Sequence, residues 1–512
     1  MSGPGKRCTV ARRKNTGEEI DIIDLNGGYS GGRETETPKR KKEKKKDNRE
    51  FAIVKYTFVV LFCCLAGYFC YFLAFQSEDF INSTYNARVS TFSSNVIRGD
   101  IKTADGTVVA TSSLDSENNE TRSYPEGSVY AHAIGYAING MSGVELDANF
   151  MLLRSHIFFP LRIWNEIQGK KNQGDTVVTT LDSTLQKAAY ERLSGYDGAV
   201  IAIEPSTGKI LAMVSEPSFD PNTLASDWDS YTSEDSKSSV LINRATQGLY
   251  PPGSTFKIVT LLEYLSEGGS ISDTFSCKGS YTYDNYTVHC YHNEVHGTVT
   301  LDQAFAESCN ISFAQIGLTL DREKYLSLAD QLLFNQALPT QLSNVKQSSF
   351  DVSDDTSDTL LMQTAFGQGD TLVTPIHEAM IAASIANGGV CMEPYLIDHT
   401  ENNEGKTLRT FSSKKYGAIM TEDQAGELSS YMRKVVTDGT ASALATDSYT
   451  AYGKTGTAEY STDKDQAHSW FTGYAEKDGK QIAIAVIMEG AGSGSRYAVP
   501  LAKSVFDTYF SE

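Results

Sequence analysis

The stretch Tyr250–Thr260 reads Tyr-Pro-Pro-Gly-Ser-Thr-Phe-Lys-Ile-Val-Thr, a rigid turn followed by a sequence that is compatible with a helix. Because two prolines and a glycine cannot continue a helix backwards, the helix is predicted to begin near Ser254. Lys257 follows three residues later and lies on the same face of that helix. A serine with a lysine one turn away is a candidate nucleophile beside a candidate base.

The spacing Ser-x-x-Lys is not specific on its own. It occurs at Ser206, Ser254, Ser343, Ser412 and Ser461. An ordinary pair of this kind is a capping serine near a solvated lysine. Two further motifs distinguish the pair at Ser254. Ser308-Cys-Asn310 follows 54 residues later, and the chain's single Lys-Thr-Gly tripeptide, at residues 454–456, follows 146 residues after Ser308.

The order Ser-x-x-Lys, Ser-x-Asn, Lys-Thr-Gly is the signature of penicillin-binding proteins and class A β-lactamases. On these motifs the chain resembles the monofunctional, class B penicillin-binding transpeptidases. The likeness also includes residues 198–213, Gly367-Gln-Gly369 and residues 385–389, and it covers roughly residues 85–512. It implies an α+β fold, in which a transpeptidase domain has an antiparallel sheet flanked by helices plus a helical subdomain. A small β-rich N-terminal domain and one transmembrane helix are expected to precede it.

The resemblance also implies the roles of individual residues. The catalytic residues are expected to be Ser254, Lys257, Ser308 and Lys454, and the substrate-binding residues Asn310, Thr455, Gly456 and Thr457. Ser254 would attack the substrate, Lys257 in its neutral form would accept the proton, and Ser308 would relay it to the leaving amine. We expect Gly456 to leave room for the substrate backbone beside its strand. By analogy, the backbone N–H groups of Ser254 and Thr457 would form the oxyanion hole.

The expected function is cross-linking of peptidoglycan stem peptides through a serine acyl-enzyme, with β-lactam antibiotics as mimics that trap the serine. No metal or organic cofactor is expected, and family likeness suggests a membrane-embedded lipid II polymerase of the SEDS type as partner. Two alternatives stay open: a D,D-carboxypeptidase or β-lactamase, and a non-catalytic β-lactam receptor or scaffold. The total length and the N-terminal region disfavour a β-lactamase, and a 50-residue tail is short for a signalling domain.

Charge is distributed unevenly along the chain. Residues 1–50 contain 14 Lys and Arg against 9 Asp and Glu, whereas the other 462 residues contain 31 against 55. The acidic remainder excludes a nucleic-acid partner, because a duplex would be repelled by most of the surface. The basic run at residues 39–46 precedes Tyr56–Phe75, a run of 20 uncharged residues that is long enough to cross about 30 Å of hydrocarbon.

These features predict a single-pass membrane protein with a cytoplasmic N-terminus and an extracytoplasmic catalytic domain. The alternative is a cleaved signal peptide, which would have a shorter apolar core. The predicted divisions are a disordered basic tail (1–50), a transmembrane anchor (51–76), a non-catalytic pedestal and docking domain (77–180) and the transpeptidase domain (181–512). In the docking domain we interpret Glu126 and Glu145 as solvated surface carboxylates rather than as an acid/base pair.

The alternation of apolar residues predicts how the catalytic domain is assembled. Strands are expected at 198–204, 209–215, 449–459, 468–475 and 481–488, with helices at 258–265, 300–320, 374–386, 421–436 and 500–510. In an α+β domain with an antiparallel sheet, the late strands must pair with the early hairpin. That pairing would bring Lys454 beside Ser254.

The cysteines outside the apolar run suggest a disulfide. Cys277 and Cys290 are 13 residues apart in a polar loop, and we predict that they are bonded, with two reduced thiols as the alternative. Cys309 is expected to stay unpaired and partly buried. Three histidines, at 289, 292 and 296, raise the question of zinc, but their spacing fits no standard site and no metal site is predicted.

Overall fold

A computed structural model describes residues 49–72, 96–459 and 466–511. It divides the chain into two compact units, residues 1–74 and 75–512, which are described separately below. Most of the predicted disordered tail, and the first part of the predicted docking domain, lie outside the described residues. The four predicted divisions of the chain therefore stay predictions.

The described residues of the first unit form one long helix, α1 (Arg49–Tyr71). Within Glu50–Tyr71 a window of 18 residues has a mean hydropathy of 1.9, and at 1.5 Å per residue the helix is long enough to cross a bilayer. Its apolar side chains are exposed within this unit; Phe62, for example, is 71% exposed. An N-terminal helix of this kind is what a single-pass membrane anchor requires.

The second unit contains the remaining helices and all the described strands. The helices are α2 (Ala131–Ile134), α3 (Gly143–Asp147), α4 (Asn149–Leu152), α5 (Phe159–Ile167), α6 (Ser183–Leu193), α7 (Leu224–Thr232), α8 (Arg244–Gln247), α9 (Lys257–Ser266), α10 (Leu301–Ala306), α11 (Asn310–Gly317), α12 (Arg322–Gln331), α13 (Asp358–Ala365), α14 (Pro375–Ala386), α15 (Glu422–Thr437) and α16 (Ala498–Ser511). Short 3₁₀ turns occur at Gly127–Tyr130, Gly253–Phe256, Tyr291–Asn293 and Ser442–Leu444.

The strands are β1 (Val96–Ile97), β2 (Ile101–Lys102), β3 (Val108–Leu114), β4 (Glu120–Ser123), β5 (Asn172–Gln173), β6 (Thr176–Thr179), β7 (Gly198–Ile203), β8 (Ile210–Glu216), β9 (Thr274–Cys277), β10 (Ser280–Tyr283), β11 (Tyr286–His289), β12 (Gly297–Thr300), β13 (Val390–Met392), β14 (Ile397–Glu401), β15 (Thr407–Thr410), β16 (Lys415–Ala418), β17 (Thr450–Glu459), β18 (Ala467–Lys477) and β19 (Lys480–Met488). The five strands that were predicted in the catalytic region correspond to β7, β8, β17, β18 and β19, and each lies within two residues of its predicted bounds. The short strands β9 to β13, β15 and β16 were not predicted.

The central sheet has five strands in the order β17-β18-β19-β7-β8, and every neighbouring pair is antiparallel. Helix α14 packs on this sheet, as do α6 and α16. Every residue of β7 is buried, which is expected when helices cover both faces of a sheet. The predicted pairing of late strands with the early hairpin is observed as β19 against β7, with Ile484 opposite Ala202.

A second sheet forms in the N-terminal region, and its composition was not predicted. Its order is β15-β14-β6-β2-β3-β4, so two of its six strands come from residues 397–410, far along the chain. Strand β14 pairs with β6 in antiparallel fashion, with Thr400 opposite Val177. The N-terminal region is thus completed by a hairpin that returns from the catalytic region.

The expectation that Glu145 is a solvated surface carboxylate is wrong. Its side chain is fully buried, and its two oxygens accept from the guanidinium groups of Arg98 at 2.5 Å and Arg122 at 2.8 Å. Burial alone raises the pKa of Glu145, but the two arginines outweigh it and hold the pKa below its usual value. The sequence contains no local signal for this cluster, because its three members are brought together by tertiary contacts.

Replacing Glu145 with alanine is expected to lower the free energy of unfolding by about 3–5 kcal/mol, because two buried arginines lose their carboxylate. Urea unfolding of the detergent-solubilised chain measures this. Glu126→Ala is the matched control, since Glu126 pairs at the surface with Lys187 and should contribute about 0–1 kcal/mol. Equal unfolding midpoints for the two variants would contradict the assignment.

Candidate active site

The turn before Ser254 is fixed by close backbone contacts. Gly253 has a φ of +56° and donates its N–H to the carbonyl of Gly367 at 2.9 Å. A Cβ atom on Gly367 would lie 1.6 Å from the Gly253 carbonyl oxygen, so only glycine fits at that position. The 3₁₀ turn Gly253–Phe256 then leads into α9, as the Pro-Pro-Gly sequence predicts. Ser254 is left at the wall of an open cleft.

Lys257 is fully buried and makes its hydrogen bonds to the Ser-x-Asn motif. Its Nζ donates to the Ser308 carbonyl at 2.7 Å, to Ser308 Oγ at 3.2 Å and to Asn310 Oδ1 at 2.8 Å. The Phe313 ring lies 5.4 Å from the same nitrogen. The lysine amine is therefore held in one position, one helical turn from Ser254.

Lys454 approaches Ser308 from the other side. It is fully buried, and its Nζ donates to Ser308 Oγ at 2.8 Å and to the Thr455 carbonyl at 3.1 Å. Ser308 therefore lies between two lysine amines. Its own φ of +59° is in the left-handed region, which non-glycine residues rarely adopt. Backbone strain of this kind is retained where the surrounding contacts fix the residue.

Both lysines lose their protons more easily than an exposed lysine. Burial lowers the pKa of Lys257 to about 8. Burial, together with the positive charge of Lys257, holds the pKa of Lys454 well below its ordinary value. The pair thus favours states in which at least one amine is neutral.

Asn310 is already bonded at both ends of its amide. Its Oδ1 accepts from Lys257, and its Nδ2 donates to the carbonyl of His289 at 3.1 Å. One amide hydrogen and one lone pair remain for another partner. His289 belongs to the hairpin β10–β11, which lines the cleft and was not predicted to be part of the site.

Strand β17 presents two threonines to the cleft. Thr455 and Thr457 line it, and Thr455 shares a hydroxyl hydrogen bond of 2.6 Å with Thr440, a residue that the sequence analysis missed. Thr440 precedes no recognisable motif, so no sequence signal indicated it. The Oγ1 of Thr457 accepts from the backbone N–H of Gly494 at 3.4 Å.

The structure explains the need for glycine at position 456 by a contact other than the expected one. A Cβ atom there would lie 2.8 Å from the Trp470 Cβ and 3.0 Å from the Pro252 carbonyl oxygen. Gly456 is therefore needed because β17 passes directly against the turn that carries Ser254. Room for a substrate backbone does not explain it, since the missing side chain would point away from the cleft.

The cleft that collects these residues has a volume of about 390 Å³. Ser254, Ser308, Asn310, Thr455 and Thr457 line it. Lys257 and Lys454 are buried and bond to Ser308 in its wall, and Gly456 faces the opposite side of β17. A larger cleft of about 950 Å³ lies beside the N-terminal sheet. None of the residues of the three motifs lines it, although Ser343 and Ser412 do, and these belong to two of the other Ser-x-x-Lys pairs.

Two family models match the chain. Residues 198–507, which are more than half of it, match the model described as the penicillin-binding protein transpeptidase domain. The chain belongs to this family. Residues 98–177 of the transpeptidase match a second model, described as the penicillin-binding protein A dimerisation domain.

Individual proteins agree with the family models. Over 439 residues the transpeptidase is 32% identical to peptidoglycan D,D-transpeptidase PbpA of Mycolicibacterium smegmatis, covering 80% of this chain and 88% of that protein. The D,D-transpeptidase domain of a peptidoglycan glycosyltransferase from Eggerthella lenta is 30% identical, with a TM-score of 0.73 and coverage of 81% and 99%. The ceftriaxone acyl-enzyme of penicillin-binding protein A from M. tuberculosis is 28% identical, with a TM-score of 0.74 and coverage of 82% and 99%.

These matches confirm three predictions: the family, the α+β fold class and a serine-type D,D-transpeptidase activity. The roles of individual side chains stay predictions.

A buried carboxylate supports the nucleophile turn of the transpeptidase. Glu378, in the first turn of α14, is buried and accepts a hydrogen bond of 2.8 Å from the hydroxyl of Thr255. Burial raises the pKa of Glu378 to about 7. The sequence did not indicate this contact, because an acidic residue at a helix N-terminus is ordinary.

The predicted disulfide is absent from the structure, and a different arrangement replaces it. Cys277 and Cys290 are free thiols whose sulfur atoms lie 3.6 Å apart, whereas a disulfide requires about 2.05 Å. Cys290 also lies next to a third sulfur, because Cys309, which was expected to be partly buried, is fully buried 3.7 Å from it. His296 Nδ1 lies 3.3 Å from the Cys277 sulfur.

Proposed function

We propose that the chain cross-links peptidoglycan stem peptides and that Ser254 carries the acyl group. The observation that supports this most directly is Lys257, a buried amine with a lowered pKa one turn from Ser254 and bonded to Ser308. Ser254 Oγ attacks the carbonyl carbon of the D-Ala-D-Ala peptide bond, and its proton passes to neutral Lys257. The C–N bond breaks, D-Ala leaves with a proton delivered through Ser308, and an ester to Ser254 remains.

The second half-reaction regenerates the enzyme. An amine of a neighbouring stem peptide attacks the ester carbonyl and loses a proton to the same relay. The C–Oγ ester bond breaks, an amide forms, and Ser254 Oγ takes up that proton to become a hydroxyl again. Ser308 suits this relay because its hydroxyl lies within 3.2 Å of Lys257 and 2.8 Å of Lys454. β-Lactams, as mimics of D-Ala-D-Ala, would enter at the first step and stay attached to Ser254.

Substrate binding is assigned to the residues around this relay. The terminal carboxylate is placed against the hydroxyls of Thr455 and Thr457, with Lys454 behind them. An incoming carboxylate favours the charged form of Lys454, which in turn favours the neutral form of Lys257. Asn310 offers its remaining amide hydrogen and lone pair to the substrate. The N–H groups of Ser254 and Thr457 would stabilise the oxyanion, an effect of about 3–4 kcal/mol per donor.

For the membrane arrangement we propose a cytoplasmic N-terminus and an extracytoplasmic catalytic region. The basic run at residues 39–46, directly before α1, supports this orientation. We also propose a lipid II polymerase of the SEDS type as membrane partner, which family likeness supports, and the docking domain is our candidate for the contact. Acyl transfer at the extracytoplasmic face would then follow polymerisation of the glycan strand by that partner.

The rate of acylation by fluorescent penicillin is expected to rise about tenfold between pH 7 and pH 9, because neutral Lys257 is the base and its pKa is about 8. Below that pH the protonated amine cannot accept the Ser254 proton. Stopped-flow labelling of the full chain measures the second-order rate constant. Lys257→Arg, which keeps the charge but stays protonated, should lose about 10²–10⁴-fold in rate and the rise with pH. An unchanged pH profile in Lys257→Arg would exclude Lys257 as the base.

A further inference from the structure

A cluster of four side chains beside the cleft has no role in the proposed function. It consists of Cys277, Cys290, His296 and Cys309, and each pair of their donor atoms lies within 4.8 Å. The three cysteines are at most 2% exposed, and the His296 side chain is 6% exposed. Cys290 and His296 also line the cleft, which gives an ion a path of entry.

The spacing of the donor atoms matches a tetrahedral metal site. A zinc ion with sulfur at about 2.3 Å and nitrogen at about 2.0 Å separates two sulfurs by about 3.8 Å, and a sulfur from a nitrogen by about 3.5 Å. The observed separations are 3.6 Å from Cys277 to Cys290, 3.7 Å from Cys290 to Cys309 and 3.3 Å from Cys277 to His296 Nδ1. These three separations are within about 0.2 Å of the tetrahedral values, and the other donor pairs also lie within 4.8 Å.

Two ordinary explanations fit less well. A disulfide between two of the cysteines would leave a third thiol and an imidazole buried beside it, and the sulfur atoms are too far apart for one. The cysteines could instead be small hydrophobic residues of the core, which would explain their apolar neighbours Val299, Ala304 and Ile311. That explanation does not account for the imidazole nitrogen of His296, which lies against the Cys277 sulfur. We propose that these four residues bind a structural zinc ion, with three thiolates and one histidine nitrogen as ligands.

Surrounding groups support the same donor set. The backbone N–H of Ser312 lies 3.4 Å from the Cys309 sulfur, which is the contact that a metal-bound thiolate accepts. The second nitrogen of His296 faces the Glu294 carboxylate at 3.8 Å. Because all four positions come from the protein, the site is closed and its role is structural rather than catalytic.

The ligands come from two parts of the chain that meet at the active site. Cys277, Cys290 and His296 lie in or beside the strands β9 to β12, around the hairpin β10–β11, and Cys309 is the middle residue of the Ser-x-Asn motif. The same two parts are joined by the hydrogen bond from Asn310 to His289. This inference rests on the proposed roles of Ser308 and Asn310. The zinc ion holds both residues in place through its ligand Cys309, which lies between them, and stabilises the left-handed backbone of Ser308.

Metal analysis tests the site without reference to activity. The full chain is purified in detergent from zinc-supplemented cells. Inductively coupled plasma mass spectrometry is expected to find about one zinc per chain. Cys277→Ser, Cys290→Ser and Cys309→Ser should each lose it, and Cys391→Ser, a buried cysteine outside the cluster, should retain it. A zinc-free wild-type chain, a Cys277–Cys290 disulfide in its intact mass, or equal zinc in all variants would overturn the proposal.

Cobalt gives a second readout that does not depend on how well each variant folds. The chelated wild-type chain is titrated with Co²⁺, and thiolate coordination should produce intense charge-transfer absorption that saturates at one ion and is displaced by Zn²⁺. Weak absorption typical of oxygen ligands alone would contradict a site built from three thiolates.

The positioning role has its own test. Removing zinc should slow acylation by fluorescent penicillin about 100-fold, and added zinc should restore it, because small displacements of positioning groups have effects of that size. Unchanged acylation without zinc would overturn the positioning role. If the zinc-loaded chain is not labelled at Ser254 at all, the proposed function fails. The measured metal content still shows in that case whether the four residues bind zinc.

Discussion

Replacement of Ser254 by alanine is expected to abolish covalent labelling by fluorescent penicillin, because the hydroxyl is the atom that forms the ester. In serine hydrolases the loss of the nucleophile lowers the rate about 10⁶-fold, which places residual labelling below detection. Gel fluorescence after incubation with excess reagent measures it. Circular dichroism confirms that the variant is folded.

The other Ser-x-x-Lys pairs provide matched controls. Ser206→Ala, Ser343→Ala, Ser412→Ala and Ser461→Ala should label like the wild type. Their surroundings support this where they are described: Lys209 pairs with Asp398 at 3.1 Å, and Ser343 bonds to Asp147. Ser461 lies outside the described residues. If a folded Ser254→Ala chain is labelled, or if one of the controls loses its labelling, another residue is the nucleophile.

A long-lived penicilloyl adduct is the second large effect that we expect. A β-lactamase turns over by positioning a water with a carboxylate, whereas a transpeptidase excludes water until the amine arrives. The flanking residues Phe256, Ile311 and Phe313 are buried and apolar. Intact-mass measurement after removal of excess penicillin should show the adduct persisting for many minutes.

The two carboxylates nearest the motifs sharpen this test. Glu307 and Glu459 both line the cleft, although neither matches a known deacylating base. Glu307→Gln and Glu459→Gln should therefore leave the adduct lifetime unchanged. Recovery of the unmodified mass within seconds, with steady formation of penicilloic acid, would favour the β-lactamase alternative, and a longer lifetime in one variant would identify its base.

Much of the fold was predictable because the signals are local. Pro251, Pro252 and Gly253 define where the nucleophile helix begins, and Thr374-Pro375 marks the start of α14. The apolar runs of β17, β18 and β19 predicted a buried sheet, and the antiparallel pairing with β7 follows from chain topology. Ser254, Lys257, Ser308 and Lys454 converge for that reason.

What could not be predicted depends on contacts between distant segments. The hairpin β14–β15 joins a sheet more than 200 residues earlier in the chain, and its polar strands carry no signal for that partner. The cysteine cluster needs the hairpin β10–β11 to fold back on Cys309, which pairwise spacing of cysteines does not show. Glu145 looks like any surface glutamate until Arg98 and Arg122 surround it.

The central claim is that Ser254 forms the acyl-enzyme in the cleft shared by the three motifs. Peptide mapping tests it most directly: the wild-type chain is acylated with penicillin, digested and sequenced by tandem mass spectrometry. The account predicts one penicilloyl group, on Ser254, in the peptide that contains Lys257 or ends at it. A penicilloyl group on any other residue of the folded chain, or none after prolonged incubation, would contradict it.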